Sequence, residues 1–302
     1  MKPDGSLEGL ETEMRNLKVP WLETLSTQEM LHVMNSADQS VPTLVGEQIG
    51  DISKAVDLIV ERLQQGGRLF YVGAGTSGRL GVLEAAECPP TFNTDPAMIQ
   101  AIIAGGPKAV WEAVEGAEDD ADLGQRAVEE HGIVNGDVMV GSSASGRTPF
   151  VLGALRKAKQ KGAWTISVNC NQDPETQRYS DITIVVPTGS EVIMGSTRMK
   201  AGTATKLVLN MLSTGAMIRL GKTYRNLMVD LKPTNYKLKE RAKRIVMSAA
   251  RVDYTMAETL LIQANYEVKA AIVMSLLNVD LVQATELLDQ NPWVLNHLHT
   301  DL

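Results

Sequence analysis

The sequence predicts an α/β protein, a three-layer sandwich in which helices cover both faces of a five-stranded parallel sheet. Between about residues 68 and 222, short β-rich runs alternate with segments that suit crossover helices. These runs are uniformly apolar rather than alternating, which is typical of strands covered on both faces. Helical patterns precede and follow this region. The five runs are Leu69–Val72, Ile99–Ile103, Val138–Val140, Thr165–Val168 and Ile182–Val186.

The N-terminal part is predicted to be helical. Ser26 and Glu29 have the spacing of a capping box at the start of a short helix. After Pro42, apolar residues recur at alternating intervals of four and three, which predicts one amphipathic helix that ends at Gly66-Gly67. Its apolar positions are Val45, Ile49, Ile52, Val56, Ile59 and Leu63.

The C-terminal part is helical again. A basic amphipathic helix is predicted from Lys237 to Val252, and two or three short helices from Thr255 onward. The sequence therefore predicts an N-terminal helical segment (1–58), a central α/β domain (59–225) and a small C-terminal helical bundle (236–302).

Composition excludes several classes of function. The 302 residues carry a net charge of -7, which argues against a nucleic-acid-binding surface. No apolar run approaches the roughly 18 residues of a membrane helix. Cys88 and Cys170 cannot form a disulfide framework, so we expect a reducing cytoplasm. No Cys/His cluster has zinc-site spacing, and His297 and His299 lack a third ligand, so we expect no metal.

The first chemical signal is a glycine-rich loop after the first strand. Residues 73–78 match the dinucleotide fingerprint G-x-G-x-x-G. That assignment needs an acidic residue after the next strand, and residues 104–107 contain none. Thr76 and Ser77 instead suit the oxygens of a phosphate monoester. A Walker loop is also absent from the sequence.

A second loop, after the third strand, is richer in hydroxyl groups. Ser142, Ser143, Ser145 and Thr148, with Arg147, precede a predicted helix whose N-terminus would attract a phosphate dianion. The plainer alternative is that these residues only cap the helix and form the turn. Both loops place a glycine four residues before Ser-Gly-Arg, so we expect the fold to use the same loop twice.

A third loop follows the fifth strand and opens an apolar helix. Ser196 and Thr197 supply hydroxyl groups, and Arg198 and Lys200 supply positive charge. Cations are unfavourable at a helix N-terminus unless an anion lies there, so we expect a bound phosphate. The three loops predict a site at the carboxyl edge of the sheet, with a basic rim to which Arg79 and Arg147 also contribute.

Longer strings of the sequence resemble one family. They are residues 73–91 (GAGTSGRLGVLEAAECPPT), 114–120 (VEGAEDD), 144–150 (ASGRTPF), 195–215 (GSTRMKAGTATKLVLNMLSTG) and 226–230 (NLMVD). Together they resemble the N-acetylmuramic acid 6-phosphate etherases, which contain a sugar isomerase (SIS) domain. The resemblance implies an SIS fold, a ubiquitin-associated-like C-terminal bundle and a homodimer. It also implies a sugar phosphate substrate and no cofactor.

The resemblance also implies a reaction and two acids. Such enzymes cleave the ether between C3 of the sugar and the D-lactyl group by elimination and hydration, in the recycling of cell-wall sugars. The family's catalytic glutamates correspond to Glu87, as proton donor, and to Glu118. Independently, Pro89-Pro90 should end the helix just after Glu87, where the negative end of the helix dipole favours the protonated acid. The plainer alternatives are a solvated helix end for Glu87 and a surface acidic run for Glu118.

The position of Glu87 raises a geometric question. A straight helix places it roughly 14 Å from Gly78, too far for both ends to serve one small sugar. Either the phosphate lies mainly on the second loop, or Glu87 reaches the site of a neighbouring subunit. We therefore expect a homodimer with an active site near the subunit interface.

Two other functions remain open from the sequence. An aldose–ketose sugar phosphate isomerase uses similar loops and similar enediolate chemistry. An SIS-type sugar phosphate sensor needs the loops but neither acid, so the presence of both Glu87 and Glu118 favours an enzyme.

Overall fold

The computed structural model describes residues 9–231, 233, 235–291 and 294–297, with only the backbone at 296 and 297. The chain forms two compact units. The larger contains the chain up to Ala85 together with Ala97–Ser213. The smaller contains Ala86–Pro96 and the chain from Thr214 onward.

The larger unit is built on five parallel strands, which confirms the predicted fold class. The strands are β1 (Leu69–Gly73), β2 (Ile99–Ile103), β3 (Val138–Ser143), β4 (Trp164–Asn169) and β5 (Ile182–Val185). They pair in the order β2-β1-β3-β4-β5. The order changes direction beside β1, and the carboxyl edge at such a point is where open α/β sheets bind ligands.

Helices surround this sheet. In the larger unit they are α1 (Thr27–Asp38), α2 (Val41–Gly46), α3 (Ile49–Gln64), the start of α4 (Gly75–Phe92), α5 (Ala121–Glu130), α6 (Pro149–Gln160) and the start of α7 (Lys200–Arg219). The capping box at Ser26 is confirmed, because its side chain accepts a hydrogen bond from the amide of Glu29. The single helix predicted after Pro42 is wrong, since the chain breaks between α2 and α3. Gly46 and Gly50 flank the break, and glycine lowers helix propensity.

Packing beneath α5 and α6 fixes the ends of the central strands. Phe70 of β1 and Met139 of β3 are fully buried in a cluster with Phe150 and Leu155 of α6. Burying one such side chain contributes roughly 1.5–3 kcal/mol. The two strands that the first and second loops follow are therefore held in a packed core.

The smaller unit is a helical bundle with its own core. Its C-terminal helices are α8 (Tyr236–Ala250), α9 (Tyr254–Gln263), α10 (Val268–Leu277), α11 (Leu281–Gln290) and α12 (Val294–His297). Within the described residues, four helices thus follow α8, where the sequence predicted two or three. Asp253 and Asp280 cap α9 and α11 by accepting hydrogen bonds from backbone amides. These caps begin new helices at positions where the sequence has no glycine or proline to indicate a break.

Two negative findings apply to the described part of the chain. No single helix there is both long and apolar enough to cross a membrane, although the bent pair α9 and α10 meets such a criterion by length and composition. Nor do any three described His, Cys, Asp or Glu side chains group as metal ligands would. The side chains of His297 and His299 lie outside the described residues.

Candidate active site

A cavity of about 550 Å³ opens at the carboxyl edge of the sheet, beside the ends of β1 and β3. Most of the site residues predicted from the sequence line it. They are Thr76, Ser77, Glu118, Ser142, Ser145, Arg147, Thr148 and Thr197. The other predicted residues, Ser143, Ser196, Lys200 and Glu87, do not line this cavity. Its volume suits a small molecule.

The first loop presents the N-terminus of a long helix to the cavity. Because α4 begins at Gly75, Thr76 and Ser77 lie in its first turn rather than in a preceding loop. Amide groups in a first turn have no acceptor within the helix, and the helix dipole makes this end positive. This wall of the cavity is therefore suited to an anion.

The second loop is organised around Ser143. Its hydroxyl group contacts the hydroxyl of Thr148 at 2.8 Å and that of Ser145 at 3.2 Å. It also accepts a hydrogen bond from the amide of Gly146 at 3.0 Å. The Ser145 hydroxyl in turn accepts from the amide of Arg147. Ser143 therefore shapes the loop while its neighbours face the cavity.

The two loops do not have the same conformation, so the expected repetition is wrong. Gly78 lies inside α4, whereas Gly146 precedes α6 with a φ of +70°. A Cβ on Gly146 would also lie 2.3 Å from Cβ of Pro174. The Ser-Gly-Arg string thus serves a helical turn after β1 and a left-handed turn after β3.

Ser142, the penultimate residue of β3, stands apart from the other hydroxyl residues. It is 2% exposed and lines the cavity. Its Oγ is buried and has no hydrogen-bond partner in the part of the chain that the structure describes. Buried polar groups in native proteins are nearly always paired, so this hydroxyl points to a bound ligand.

The third loop differs from the prediction. The anion at the N-terminus of α7 is the buried carboxylate of Glu191, which accepts hydrogen bonds from the amides of Lys200 and Ala201, each at 3.0 Å. The Lys200 ammonium group donates to the carbonyl of Thr188 at 2.5 Å. A phosphate is therefore not needed to balance this helix end, and Thr197 is the residue of the loop that lines the cavity.

The expected basic rim is mostly engaged elsewhere. Arg79 donates to the carbonyl oxygens of Val110 and Glu112, at 3.1 and 3.3 Å. Arg198 is exposed and does not line the cavity. Arg147 is the arginine in the lining, with its Nε 4.0 Å from Glu175. The hydrogen-bond donors that face the cavity are therefore hydroxyl groups and helix amides more than cations.

Glu118 reaches the cavity on a short 3₁₀ helix, Ala117–Asp119, that follows a left-handed glycine at 116. The surrounding acids have separate roles. Asp120 caps α5 by accepting from the amide of Leu123, and Asp122 accepts from Gln125 on the surface. The acidic run is therefore not one solvated face, because Glu118 and Asp119, although exposed, line the cavity, whereas Asp122 contacts Gln125 on the surface.

Glu87 is exposed on α4, in the smaller unit. The prediction that the helix ends just after it is wrong, since α4 continues through Pro89 and Pro90 to Phe92. The fixed φ of proline is itself helical, so these residues remove hydrogen bonds without turning the chain away. The helix ends at Asn93, in the left-handed conformation. More than one turn of α4 follows Glu87, so this residue does not lie at the negative end of the helix dipole.

Several residues at the cavity were missed from the sequence. Leu10 and Glu13 line it, although the N-terminal stretch carries no recognisable motif. Asn171 is buried two residues after β4 and does not line the cavity, but it holds Thr12 of this stretch, and it could have been found because polar residues after an apolar strand marked the other loops. Cys170, beside it, is buried, and burial raises the pKa of its thiol to about 12, which disfavours the reactive thiolate.

Comparison with known proteins identifies the family. The SIS domain matches residues 129–215, and the glucokinase regulatory protein N-terminal SIS domain matches residues 51–159. The N-acetylmuramic acid 6-phosphate etherase of Geobacillus thermodenitrificans (strain NG80-2) is 52% identical over 94% of this chain and 96% of that protein. The etherase of Clostridioides difficile (strain 630) is 48% identical over 94% of each. The chain belongs to the N-acetylmuramic acid 6-phosphate etherase family.

Solved structures with the same fold are more distant from this etherase-family chain. A phosphoheptose isomerase from Francisella tularensis superimposes with a TM-score of 0.53 at 17% identity, over 64% of this chain and 100% of that one. A phosphoheptose isomerase from Neisseria gonorrhoeae gives 0.50 at 16% identity, over 63% and 98%. At such identities the likeness concerns the fold alone, and it agrees with the SIS assignment.

Proposed function

We propose that this chain cleaves N-acetylmuramic acid 6-phosphate at its lactyl ether and releases N-acetylglucosamine 6-phosphate and D-lactate. It would act as a carbon–oxygen lyase, by elimination followed by hydration. The observation that carries the proposal is the near full-length likeness to named etherases. The hydroxyl-lined cavity at the carboxyl edge of the sheet, with a glutamate on its wall, supports it.

The phosphate group would bind between the first two loops. There the first turn of α4 offers amide groups together with Thr76 and Ser77, and the second loop offers Ser142 and Ser145. A phosphate oxygen near Ser142 would also pair the buried hydroxyl that has no partner among the described residues. This arrangement leaves the sugar ring and the lactyl group to the rest of the cavity.

The chemistry follows from an open-chain sugar with an aldehyde at C1. A base removes the C2 proton, the C3–O bond breaks, and lactate leaves with a proton from an acid. Water then adds at C3 of the unsaturated aldehyde, and a proton returns to C2. We assign proton donation to Glu87 and the base or water-handling role to Glu118. Two carboxyl groups that exchange protons suffice for these steps.

Label transfer tests the reaction directly. The chain is incubated with N-acetylmuramic acid 6-phosphate in ¹⁸O-water, and the products are analysed by mass spectrometry with fragmentation. We expect one ¹⁸O at C3 of the sugar and none at the lactate hydroxyl group. Label in lactate would mean that a different bond is cut. Interconversion of aldose and ketose phosphates without lactate release would instead assign an isomerase, and ligand binding without turnover a sensor.

Substitution of Glu118 tests the site. Glu118→Gln should lower kcat by about 10²–10⁴-fold, the usual contribution of general acid–base catalysis. Asp122→Asn is the matched control, because Asp122 is an exposed acid four residues away that contacts Gln125. Equal rates for the Glu118→Gln variant and the control would remove Glu118 from the mechanism.

The setting of the enzyme is also part of the proposal. We place it in the cytoplasm, where it would serve cell-wall sugar recycling with no cofactor, no nucleic acid and no membrane partner. Residues 59–225 would form the sugar-phosphate-binding domain, and 236–302 a ubiquitin-associated-like bundle. A homodimer would bring Glu87 of one subunit to the cavity of the other.

A further inference from the structure

The N-terminal segment Leu10–Asn16 forms one wall of the cavity. Leu10 is 2% exposed and lines it, as does Glu13 at the end of the short 3₁₀ helix Glu11–Glu13. None of the three phosphate loops includes this wall. A ligand held by those loops would therefore meet the segment with its other end.

Hydrogen bonds fix the segment in place. Thr12 is fully buried, and its amide donates to Oδ1 of Asn171 at 3.2 Å. The Asn171 amide group donates to Oγ1 of Thr12 and to the carbonyl of Ala144, each at 2.8 Å. Asn16 donates to the carbonyl of Ser190 at 3.3 Å. Asn171 thus joins the segment to the second phosphate loop, and Glu13 projects from a rigid backbone.

The Glu13 carboxylate is available to a ligand. It is half-buried, and in the described part of the chain no hydrogen bond or ion pair engages it. Gly195 leaves room for it, because a Cβ at that position would lie 3.0 Å from its Oε2. With a φ of +74°, position 195 also disfavours any side chain. Glu11, on the same turn, is exposed and does not line the cavity.

A carboxylate can only accept hydrogen bonds, and it repels a phosphate dianion. The phosphate would therefore occupy the hydroxyl and amide side of the cavity, and Glu13 would face groups that donate. We propose that Glu13 is a specificity-determining residue whose carboxylate accepts hydrogen bonds from O–H or N–H groups of the sugar portion. This inference rests on the proposed function, and it assigns Glu13 to recognition rather than to the proton transfers.

Two ligands separate this role from a structural one. Calorimetry measures the Kd of N-acetylglucosamine 6-phosphate and of inorganic phosphate for the wild type, Glu13→Gln, Glu13→Ala and the control Glu11→Gln. We expect Glu13→Ala to weaken the sugar phosphate by about tenfold or more, as loss of a charge-assisted hydrogen bond does. Inorganic phosphate should bind equally well or more tightly, because a negative charge has been removed. The Kd of Glu13→Gln for the sugar phosphate should lie between those of the wild type and Glu13→Ala. Both Kd values of Glu11→Gln should match those of the wild type.

The ratio of the Kd values for N-acetylglucosamine 6-phosphate and inorganic phosphate tests the proposed role of Glu13. The inference would be overturned if Glu13→Ala left this ratio unchanged, which includes an equal loss of affinity for both ligands. It would also be overturned if Glu11→Gln changed the ratio as much as Glu13→Ala does. Thermal unfolding of each variant verifies that the cavity remains folded. Failure of the proposed function is visible separately, because the wild type would then release no lactate from N-acetylmuramic acid 6-phosphate. The ratio of Kd values would still test whether Glu13 recognises the sugar portion in that case.

Discussion

Ser142 and Ser143 are adjacent and similarly buried, but their hydroxyl groups differ in hydrogen bonding. Ser143 holds three groups of its loop, whereas the Ser142 Oγ has no partner among the described residues. Removing a hydroxyl that is paired leaves its partners unsatisfied, at a cost of about 1–3 kcal/mol. Removing an unpaired hydroxyl group instead removes a buried polar atom that had no hydrogen bond, so no partner is left unsatisfied.

Ser142→Ala and Ser143→Ala should therefore separate binding from stability. Ser142→Ala should weaken N-acetylglucosamine 6-phosphate by about 10–100-fold, since a hydrogen bond to a charged group contributes roughly 1.5–3 kcal/mol. Its melting temperature without ligand should equal or exceed that of the wild type. Ser143→Ala should lower the melting temperature by several degrees. Calorimetric binding and thermal unfolding measure both effects, and the same pattern in the two variants would contradict the assignment.

At the level of elements, α7 shows how a side chain of the same protein can balance the positive end of a helix dipole. The sequence around Arg198 and Lys200 predicted a bound phosphate there, whereas the structure supplies an anion from the chain itself. The anion is Glu191, which is 0% exposed and bonds two amides of the first turn. A pattern of charges predicts that a counter-charge exists, but only the fold selects which one.

Glu191→Ala should destabilise the protein by about 2 kcal/mol or more, because it removes a helix cap and leaves buried amides unpaired. Chemical denaturation at neutral pH would measure this as a lower midpoint. Glu112→Ala serves as the control, since that carboxylate is 65% exposed and pairs with Lys108 on the surface. Its effect should stay within about 0.5 kcal/mol. Equal midpoints for the two variants would mean that Glu191 is not the cap.

The sequence predicted those elements whose pattern is local. Uniformly apolar runs located all five strands, and hydroxyl groups after β1 and β3 located the cavity. The break before Ile49 was missed although Gly46 and Gly50 flank it, because the apolar spacing continues through it, and the extra helices after Thr255 lacked glycine or proline signals. Glu13 was missed because its role depends on a contact between Thr12 and Asn171, far apart along the chain. Such long-range pairing leaves no periodic trace.

At the level of the whole molecule, the proposed function needs more than one cavity wall. The described cavity carries hydroxyl groups, helix amides and the carboxyl groups of Glu13, Glu118 and Asp119, but Glu87, the proposed proton donor, is exposed on α4 and is not part of the lining. An elimination that gives lactate a proton while removing one from C2 requires two groups placed on the sugar. In the proposed homodimer, a second copy of the chain would bring Glu87 to this cavity, since symmetric dimers are the commonest oligomers.

Mixed dimers test this shared site. Glu87→Ala and Glu118→Gln chains are co-expressed with different affinity tags, and dimers carrying both tags are isolated. If each site takes Glu87 from one subunit and Glu118 from the other, one site per mixed dimer contains both acids, so activity should return to about half of the wild-type value. If both acids come from one chain, every site lacks one and no activity returns. Pairing Glu87→Ala with the double variant is the control and should stay inactive. A monomer in gel filtration, or an inactive mixed dimer, would mean that Glu87 does not act across an interface.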